Sequence, residues 1–194
     1  FGYVKEAVLS GDQKKFEELK GKLVKYEEIS DRIEYEIATF LNGVSEGEIS
    51  AGTSKKIKAM YKIIGELESL GDSGEAISRI LGRRNSHNQS FAPETERKLE
   101  NMIYAVEKAY DAMITNLNAA HKGKLADISN AYDAEYLINN LRNACRDAEI
   151  EDIEVSRKDY RASVYYMDIV GELERMGDFI INISQDLEKA YSSK

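Results

Sequence analysis

Apolar residues recur every three or four positions over most of the chain, which is the period of an amphipathic α-helix. After a break at Ser10-Gly11-Asp12, this pattern predicts a long helix that reaches about Leu41 and turns one seam toward a bundle. The seam consists of Phe16, Leu19, Leu23, Tyr26, Ile33, Ile37 and Phe40. The apolar residues before the break predict the last turns of a helix whose beginning is absent: Val4, Ala7, Val8 and Leu9.

Four further helices are predicted from the same spacing. One begins near Thr53 and ends at Gly82, and the others span about 93–120, 125–150 and 157–191. The 194 residues contain a single proline, Pro93, where the first turn of a helix tolerates it. All-β folds need a turn signal roughly every 8–12 residues, so the pattern predicts an all-α protein.

Two segments of the chain share an octet of residues. Gly65–Asp72 reads GELESLGD and Gly171–Asp178 reads GELERMGD, at an offset of 106 residues. The preceding helices match more weakly, with Ile33-Glu34 placed on Ile138-Asn139 at an offset of 105. We therefore predict two tandem three-helix bundles, the first with a truncated first helix. The predicted boundaries are 1–83 for the first unit, 84–92 for a linker and 93–194 for the second unit.

Each octet carries two carboxylates one helical turn apart. Glu68 and Asp72 project from one side of their helix, and Glu174 and Asp178 do the same in the second octet. On the preceding helix of the first unit, three more acids accompany the seam: Glu27, Asp31 and Glu34. If the two helices pack through their seams, these carboxylates converge on one groove.

Converging carboxylates need compensation. At an effective dielectric constant near 20, two carboxylates about 6 Å apart repel each other by roughly 2.8 kcal/mol. A bound cation would remove this repulsion, and oxygen-only ligands favour ions such as Mg, Ca, Mn or Fe. In the second unit the candidate partners are Glu135 and Asn139, with Asp133 as a further candidate, so fewer charges converge and we expect tighter metal binding in the first unit. The alternative is two solvated acidic edges whose glycines serve tight helix packing.

The charge and the histidines exclude two classes of function. The chain has 35 acidic and 27 basic residues and a formal net charge of -8, so it lacks the basic footprint that nucleic acid needs. A ferritin-like redox enzyme needs Glu-x-x-His pairs, and neither His87 nor His121 follows a Glu by three residues. We therefore predict that the protein is not an enzyme.

The repeated motif resembles that of the PhoU family. Its members consist of two three-helix bundles of the spectrin-repeat type, each with a Glu/Asp-x-x-x-Asp motif on its last helix and a companion acidic motif on its middle helix. In this family the motif residues hold metal ions or multinuclear clusters. The resemblance implies metal positions at Glu27, Asp31, Glu34, Glu68 and Asp72 in the first unit and at Glu135, Asn139, Glu174 and Asp178 in the second.

The resemblance also implies cofactors and a biological setting. The expected cofactors are divalent or trivalent ions such as iron, zinc or magnesium. PhoU-like chains occur as free-standing regulators of phosphate uptake and as cytoplasmic tails of sodium-dependent phosphate cotransporters. The runs Lys25–Arg32 and Ser45–Glu48 look more like the cotransporter tails. We therefore expect a regulatory domain in phosphate transport and homeostasis, without substrate turnover of its own.

Location and partners follow from the cotransporter setting. We expect the domain at the cytoplasmic face of a bacterial inner membrane, attached to the membrane transporter portion of the same chain, with a homo-oligomer as a further possibility. Two alternatives stay open. One is a free-standing regulator of the same family, and the other is a metal-free helical interaction module whose 12 tyrosines supply adhesive surface.

Overall fold

The computed structural model describes residues 1–125, 127–156 and 160–191, with the backbone alone described at 153–156. Within this part of the chain there are six α-helices and no strand, which confirms the predicted all-α class. The helices are α1 (Gly2–Leu9), α2 (Gln13–Ser45), α3 (Ala51–Ser86), α4 (Pro93–His121), α5 (Ser129–Ser156) and α6 (Tyr160–Tyr191). None of these helices has both the length and the apolar character that a membrane crossing requires.

Side-chain caps define where α2 and α3 begin. Asp12 is the N-cap of α2, and its carboxylate accepts hydrogen bonds from the backbone N–H groups of Lys14 and Lys15 at 2.8 and 3.4 Å. The hydroxyl of Ser50 accepts one from the N–H of Thr53 at 3.1 Å, so α3 begins at Ala51, slightly before the predicted position. Pro93 occupies the first turn of α4 as predicted.

Two helices run past their predicted ends. The sequence predicts ends near Leu41 and at Gly82, whereas α2 continues to Ser45 and α3 to Ser86. Gly82 does not stop α3, and a Cβ added there would make only ordinary van der Waals contact, at 3.9 Å, with the ring of Phe16. Conversely, α5 begins at Ser129, four residues later than expected. The predicted start of the last helix, at 157, lies outside the described residues.

The two halves meet through α3 and α6, which run antiparallel. The amino group of Lys62 lies 3.8 Å from a carboxylate oxygen of Asp186, and the amide of Asn182 donates a hydrogen bond to Glu66 at 3.2 Å. As the residue number rises along α3 it therefore falls along α6. The two octets occupy equivalent places on these paired helices, and α2 and α5 flank them on their own sides.

The apolar seam of α2 is buried over only part of its length, which corrects the predicted seam. Phe16 is 2% exposed and Leu19 2%, but Tyr26 is 53%, Ile33 48% and Phe40 70% exposed. The physical reason is that α1 has eight residues, whereas α4 has 29. As the first helix of the first unit, α1 therefore covers only the part of α2 around Phe16 and Leu19 and leaves the later part of the seam exposed.

Candidate metal centre

Three of the predicted acids form a cluster between α2 and α3. One carboxylate oxygen from each of Glu27, Asp31 and Asp72 lies within 4.8 Å of the other two. Oxygens on opposite sides of a calcium ion are about 4.6–5.2 Å apart, since each lies about 2.3–2.6 Å from the ion. One hard cation can therefore contact all three side chains. No other group of three His, Cys, Asp or Glu side chains is this close in the part of the chain that the structure describes.

A glycine allows α2 and α3 to approach each other at this level. A Cβ added to Gly71 would lie 3.4 Å from the Cβ and the hydroxyl of Ser30, so a larger side chain there would push the helices apart. Asp31 and Asp72 directly follow these two residues in the sequence. The close contact therefore brings the two aspartates to opposite sides of a narrow gap.

Like charges and partial burial act together in this cluster. Burial raises the pKa of Glu27, and the negative charges of Asp31, Glu75 and Asp72 raise it further. Sequence reasoning missed Glu75, although its position three residues after Asp72 places it on the same side of α3. Glu27 therefore holds its proton more tightly in the folded protein, because burial and the neighbouring negative charges both disfavour its charged form.

The other two predicted acids of the first unit lie at the edge of the cluster. Burial raises the pKa of Glu68, and the charges of Asp72 and Glu34 raise it further, whereas the hydroxyl of Ser69 donates to its carboxylate and lowers it. A carboxylate oxygen of Glu34 lies 3.9 Å from the place of a Cβ on Gly65. Both acids are half-buried, and the charges of Glu34, Asp31 and Asp72 all act on Glu68, so these two acids lie beside the three-acid cluster without being part of it.

The negative charge of the first cluster is not neutralised by ion pairs within the described part of the chain. Among the described residues, no Lys, Arg or His forms an ion pair with Glu27, Asp31 or Asp72. Of the nearby arginines, Arg32 lies 3.8 Å from Glu36, and Arg79 lies 2.8 Å from Glu75, which neighbours the cluster, and neither pairs with the three clustered acids. An all-carboxylate set without an internal cation is the donor set that hard divalent ions prefer, so these residues fit a metal ion.

The second unit compensates its acids internally. The guanidinium of Arg142 lies 3.3 Å from a carboxylate oxygen of Glu174 and donates to the side-chain oxygen of Asn139 at 3.4 Å. Burial raises the pKa of Asp178, and the charge of Arg142 partly offsets this. Glu135 is half-buried one turn before Asn139. With Arg142 among them, these residues do not fit a metal ion as the first cluster does.

The contacts also correct the alignment of the middle helices. Gly71 faces Ser30, and at the equivalent glycine, Gly177, an added Cβ would lie 2.9 Å from Ile138. Ser30 therefore corresponds to Ile138, an offset of 108 residues instead of the predicted 105. The slip of three residues arises because one helical turn gives nearly the same apolar pattern.

The corrected alignment pairs the two clusters residue by residue. Glu27 corresponds to Glu135, Asp31 to Asn139, Glu34 to Arg142, Glu68 to Glu174 and Asp72 to Asp178. The first unit thus has five acids where the second has three acids, an amide and an arginine. Sequence reasoning missed Arg142, although its position three residues after Asn139 was a signal that it shares the same helix face.

Solved structures with the same fold are PhoU proteins. The phosphate transport system regulatory protein PhoU from Streptococcus pneumoniae has a TM-score of 0.73 at 16% sequence identity, over 100% of this chain and 88% of that one. PhoU from Pseudomonas aeruginosa has a TM-score of 0.74 at 13% identity, over 97% of this chain and 87% of that one. No family model and no curated protein matches the sequence. The chain therefore has a PhoU-like all-α fold.

Proposed function

We propose that the chain is a metal-binding regulatory domain in phosphate transport, and that its first unit holds the metal. The observation that carries this proposal is the cluster of Glu27, Asp31 and Asp72, within a fold shared over nearly the full length with a phosphate transport regulatory protein. A domain of a sodium/phosphate cotransporter-like protein at the cytoplasmic face of the membrane is our preferred setting. A free-standing PhoU-type regulator fits this fold equally well.

The chain's own residues hold the metal in this proposal. Glu27 and Asp31 come from α2 and Asp72 from α3, so a bound ion links two helices. Such an ion supplies positive charge that removes the repulsion among the carboxylates. The half-buried Glu34 and Glu68 extend the ligand set toward the α3–α6 side, where a second ion of a multinuclear cluster would find oxygen ligands.

The metal-binding part is tested by exchanging matched neighbours on α2. Glu27→Gln is expected to weaken Mn²⁺ binding to the chelated protein by more than the about 10–100-fold that loss of an outer-sphere partner costs, because it removes a direct ligand. Glu28→Gln changes the next residue by the same chemistry and is expected to weaken binding far less, since Glu28 is exposed and acts on Glu27 only through its charge. Isothermal titration calorimetry measures both, and equal losses in the two variants contradict the proposed centre.

The biological part is tested by phosphate uptake. In cells that lack this chain, reintroducing the wild type is expected to restore regulated uptake of radiolabelled phosphate, and a variant with Asp31→Asn and Asp72→Asn is expected to fail. Glu28→Gln serves again as the control that keeps the metal ligands. Normal regulation by the double variant would separate the regulatory function from the metal.

One structural observation favours a metal-free interaction module as a second candidate. Tyr35 and Phe40 on α2 are 74% and 70% exposed, and large exposed aromatic side chains are typical of protein interfaces. The two candidates differ in their response to chelation. A metal-binding domain loses thermal stability when a chelator removes the ion, whereas a metal-free module melts at the same temperature with and without chelator.

A further inference from the structure

The two units of this chain differ in how the negative charges of their acidic motifs are balanced. In both, a helix with a Glu-x-x-x-Asp motif packs against a polar face of the middle helix. In the first unit, Glu27, Asp31 and Asp72 form the cluster, and none of the cationic side chains in the described part of the chain makes an ion pair with them. In the second unit, Arg142 stands among the equivalent positions and forms an ion pair with Glu174 at 3.3 Å.

Arg142 places its positive charge among the residues that are equivalent to the first cluster. Its side chain is 25% exposed and that of Glu174 is 20% exposed, so the pair lies in the gap between α5 and α6 instead of on the open surface. The guanidinium also donates a hydrogen bond to the side-chain oxygen of Asn139, and Asn139 is the residue equivalent to Asp31. Two of the groups that would ligate an ion in the second unit are therefore bound by the arginine.

The helix contact beside the acids also differs between the two units. At Gly177 an added Cβ would be 2.9 and 3.2 Å from the Cδ1 and Cγ2 carbons of Ile138, whereas at Gly71 it would be 3.4 Å from Ser30, so the longer side chain of Ile138 reaches further across the helix contact. Ile138 takes the position of the small Ser30. An apolar side chain thus occupies the gap beside the acids, where the first unit has a hydroxyl.

We propose that Arg142 replaces the metal ion in the second unit, so that the chain takes up hard cations at its first cluster alone. This inference rests on the proposed metal-binding function of the first unit. Its chemical content is that a tethered guanidinium and a bound cation are alternatives for the same carboxylates. Giving these two positions the acids of the first unit, by Asn139→Asp with Arg142→Glu, is therefore expected to create a cation site in the second unit.

The experiment uses the full chain with its first cluster disabled by Asp31→Asn and Asp72→Asn. Into this background we introduce either Asn139→Asp with Arg142→Glu or the matched control Asn143→Asp with Arg146→Glu. The control makes the same chemical changes one turn further along α5, at two exposed residues. Mn²⁺ binding to each chelated variant is followed by electron paramagnetic resonance.

The background variant is expected to bind no Mn²⁺, and the conversion is expected to bind it at least about tenfold more tightly than the control. Residual binding by the background that Glu174→Gln removes, or equal affinities of conversion and control, would overturn the inference. Failure of the proposed function is a separate result, since it appears as a wild-type protein that binds no more Mn²⁺ than the background.

Circular dichroism establishes that each variant keeps its helices. Should the conversion not fold, Arg142→Gln and Arg142→Lys in the same background decide the question. Gln removes the cation and is expected to raise the Mn²⁺ affinity, whereas Lys keeps it and is expected to bind no Mn²⁺. Equal Mn²⁺ binding by these two variants would overturn the inference.

Discussion

Single residues decide the electrostatic character of each cluster. Glu34 and Arg142 occupy equivalent places on their middle helices, and they act in opposite directions on the acids that face them. Glu34 adds to the rise that burial causes in the pKa of Glu68, whereas Arg142 partly offsets the rise that burial causes in the pKa of Asp178 and pairs with Glu174. The same motif is therefore strained by like charges in one unit and compensated in the other.

This difference predicts opposite effects of one substitution at equivalent sites. In the presence of chelator, Glu68→Gln is expected to raise the melting temperature at pH 7 by about 1 °C, because it removes a like-charge pair one turn apart worth about 0.2–0.5 kcal/mol. Glu174→Gln is expected to lower it, because it removes the partner of Arg142 at a cost of up to about 1 kcal/mol. Shifts of the same sign would contradict this account.

The pH dependence of the first variant follows from the same cause. The pKa of Glu68 in the folded protein lies above its ordinary value of 4.5, so the folded chain binds more protons than the unfolded chain between these two values. The contribution of Glu68 to the free energy of unfolding of the metal-free protein therefore falls as the pH rises through this window. Urea titrations across the window are expected to show a shallower fall for Glu68→Gln than for the wild type.

At the scale of helices, two glycines of α6 have different reasons to be there. An added Cβ would meet no atom within 4 Å at Gly171, but it would come within 2.9 Å of Ile138 at Gly177. Glycine in a helix interior costs stability because its backbone loses more freedom on folding. At Gly177 a larger residue would collide with Ile138 of α5, whereas at Gly171 no packing contact requires a glycine.

Alanine substitutions are expected to separate these two roles. Gly171→Ala gains about 0.5–1 kcal/mol of helix stability, which corresponds to a rise of about 2 °C in the melting temperature. Gly177→Ala forces Ile138 and α5 to move, and overpacking of this kind costs about 1–3 kcal/mol. Thermal melting followed by circular dichroism measures both, and stabilisation by Gly177→Ala would show that α5 moves without cost.

At the scale of the whole molecule, the length of the first helix of each unit, α1 or α4, decides how much of that unit is buried. Equivalent positions on α3 and α6 differ sharply in exposure. Met60 is 37% exposed where Tyr166 is fully buried, and Leu67 is 38% exposed where Leu173 is fully buried. α4 packs along α6 in the second unit, whereas the eight residues of α1 leave this part of α3 uncovered.

Matched truncations test this asymmetry. Leu173→Ala is expected to lower the free energy of unfolding by about 2–5 kcal/mol, because it leaves a cavity in a packed core. Leu67→Ala removes the same atoms from a partly solvated site and is expected to cost about 1 kcal/mol or less. Urea denaturation gives both values, and similar losses would mean that the first unit is as well covered as the second.

Much of the fold could be predicted because it depends on local patterns. Helical periodicity locates the long helices, the Asp12 cap and Pro93 mark two of their starts, and the repeated octet indicates the two equivalent motifs. The acids of the candidate centre are also apparent from their one-turn spacing. Apart from the octet, which is recognised by comparing two segments of the sequence, these signals are local because each depends on neighbours within about one turn of the same helix.

The sequence by itself determined the helices, the repeated motif and the acids that face a common groove. The tertiary structure decided the register of α5 on α6, the entry of Arg142 into the second cluster and the exposure of the distal seam of α2. The physical reason is that helical periodicity specifies which face of a helix is apolar but not which neighbour covers it. A slide by one turn keeps that face and changes every contact between the helices.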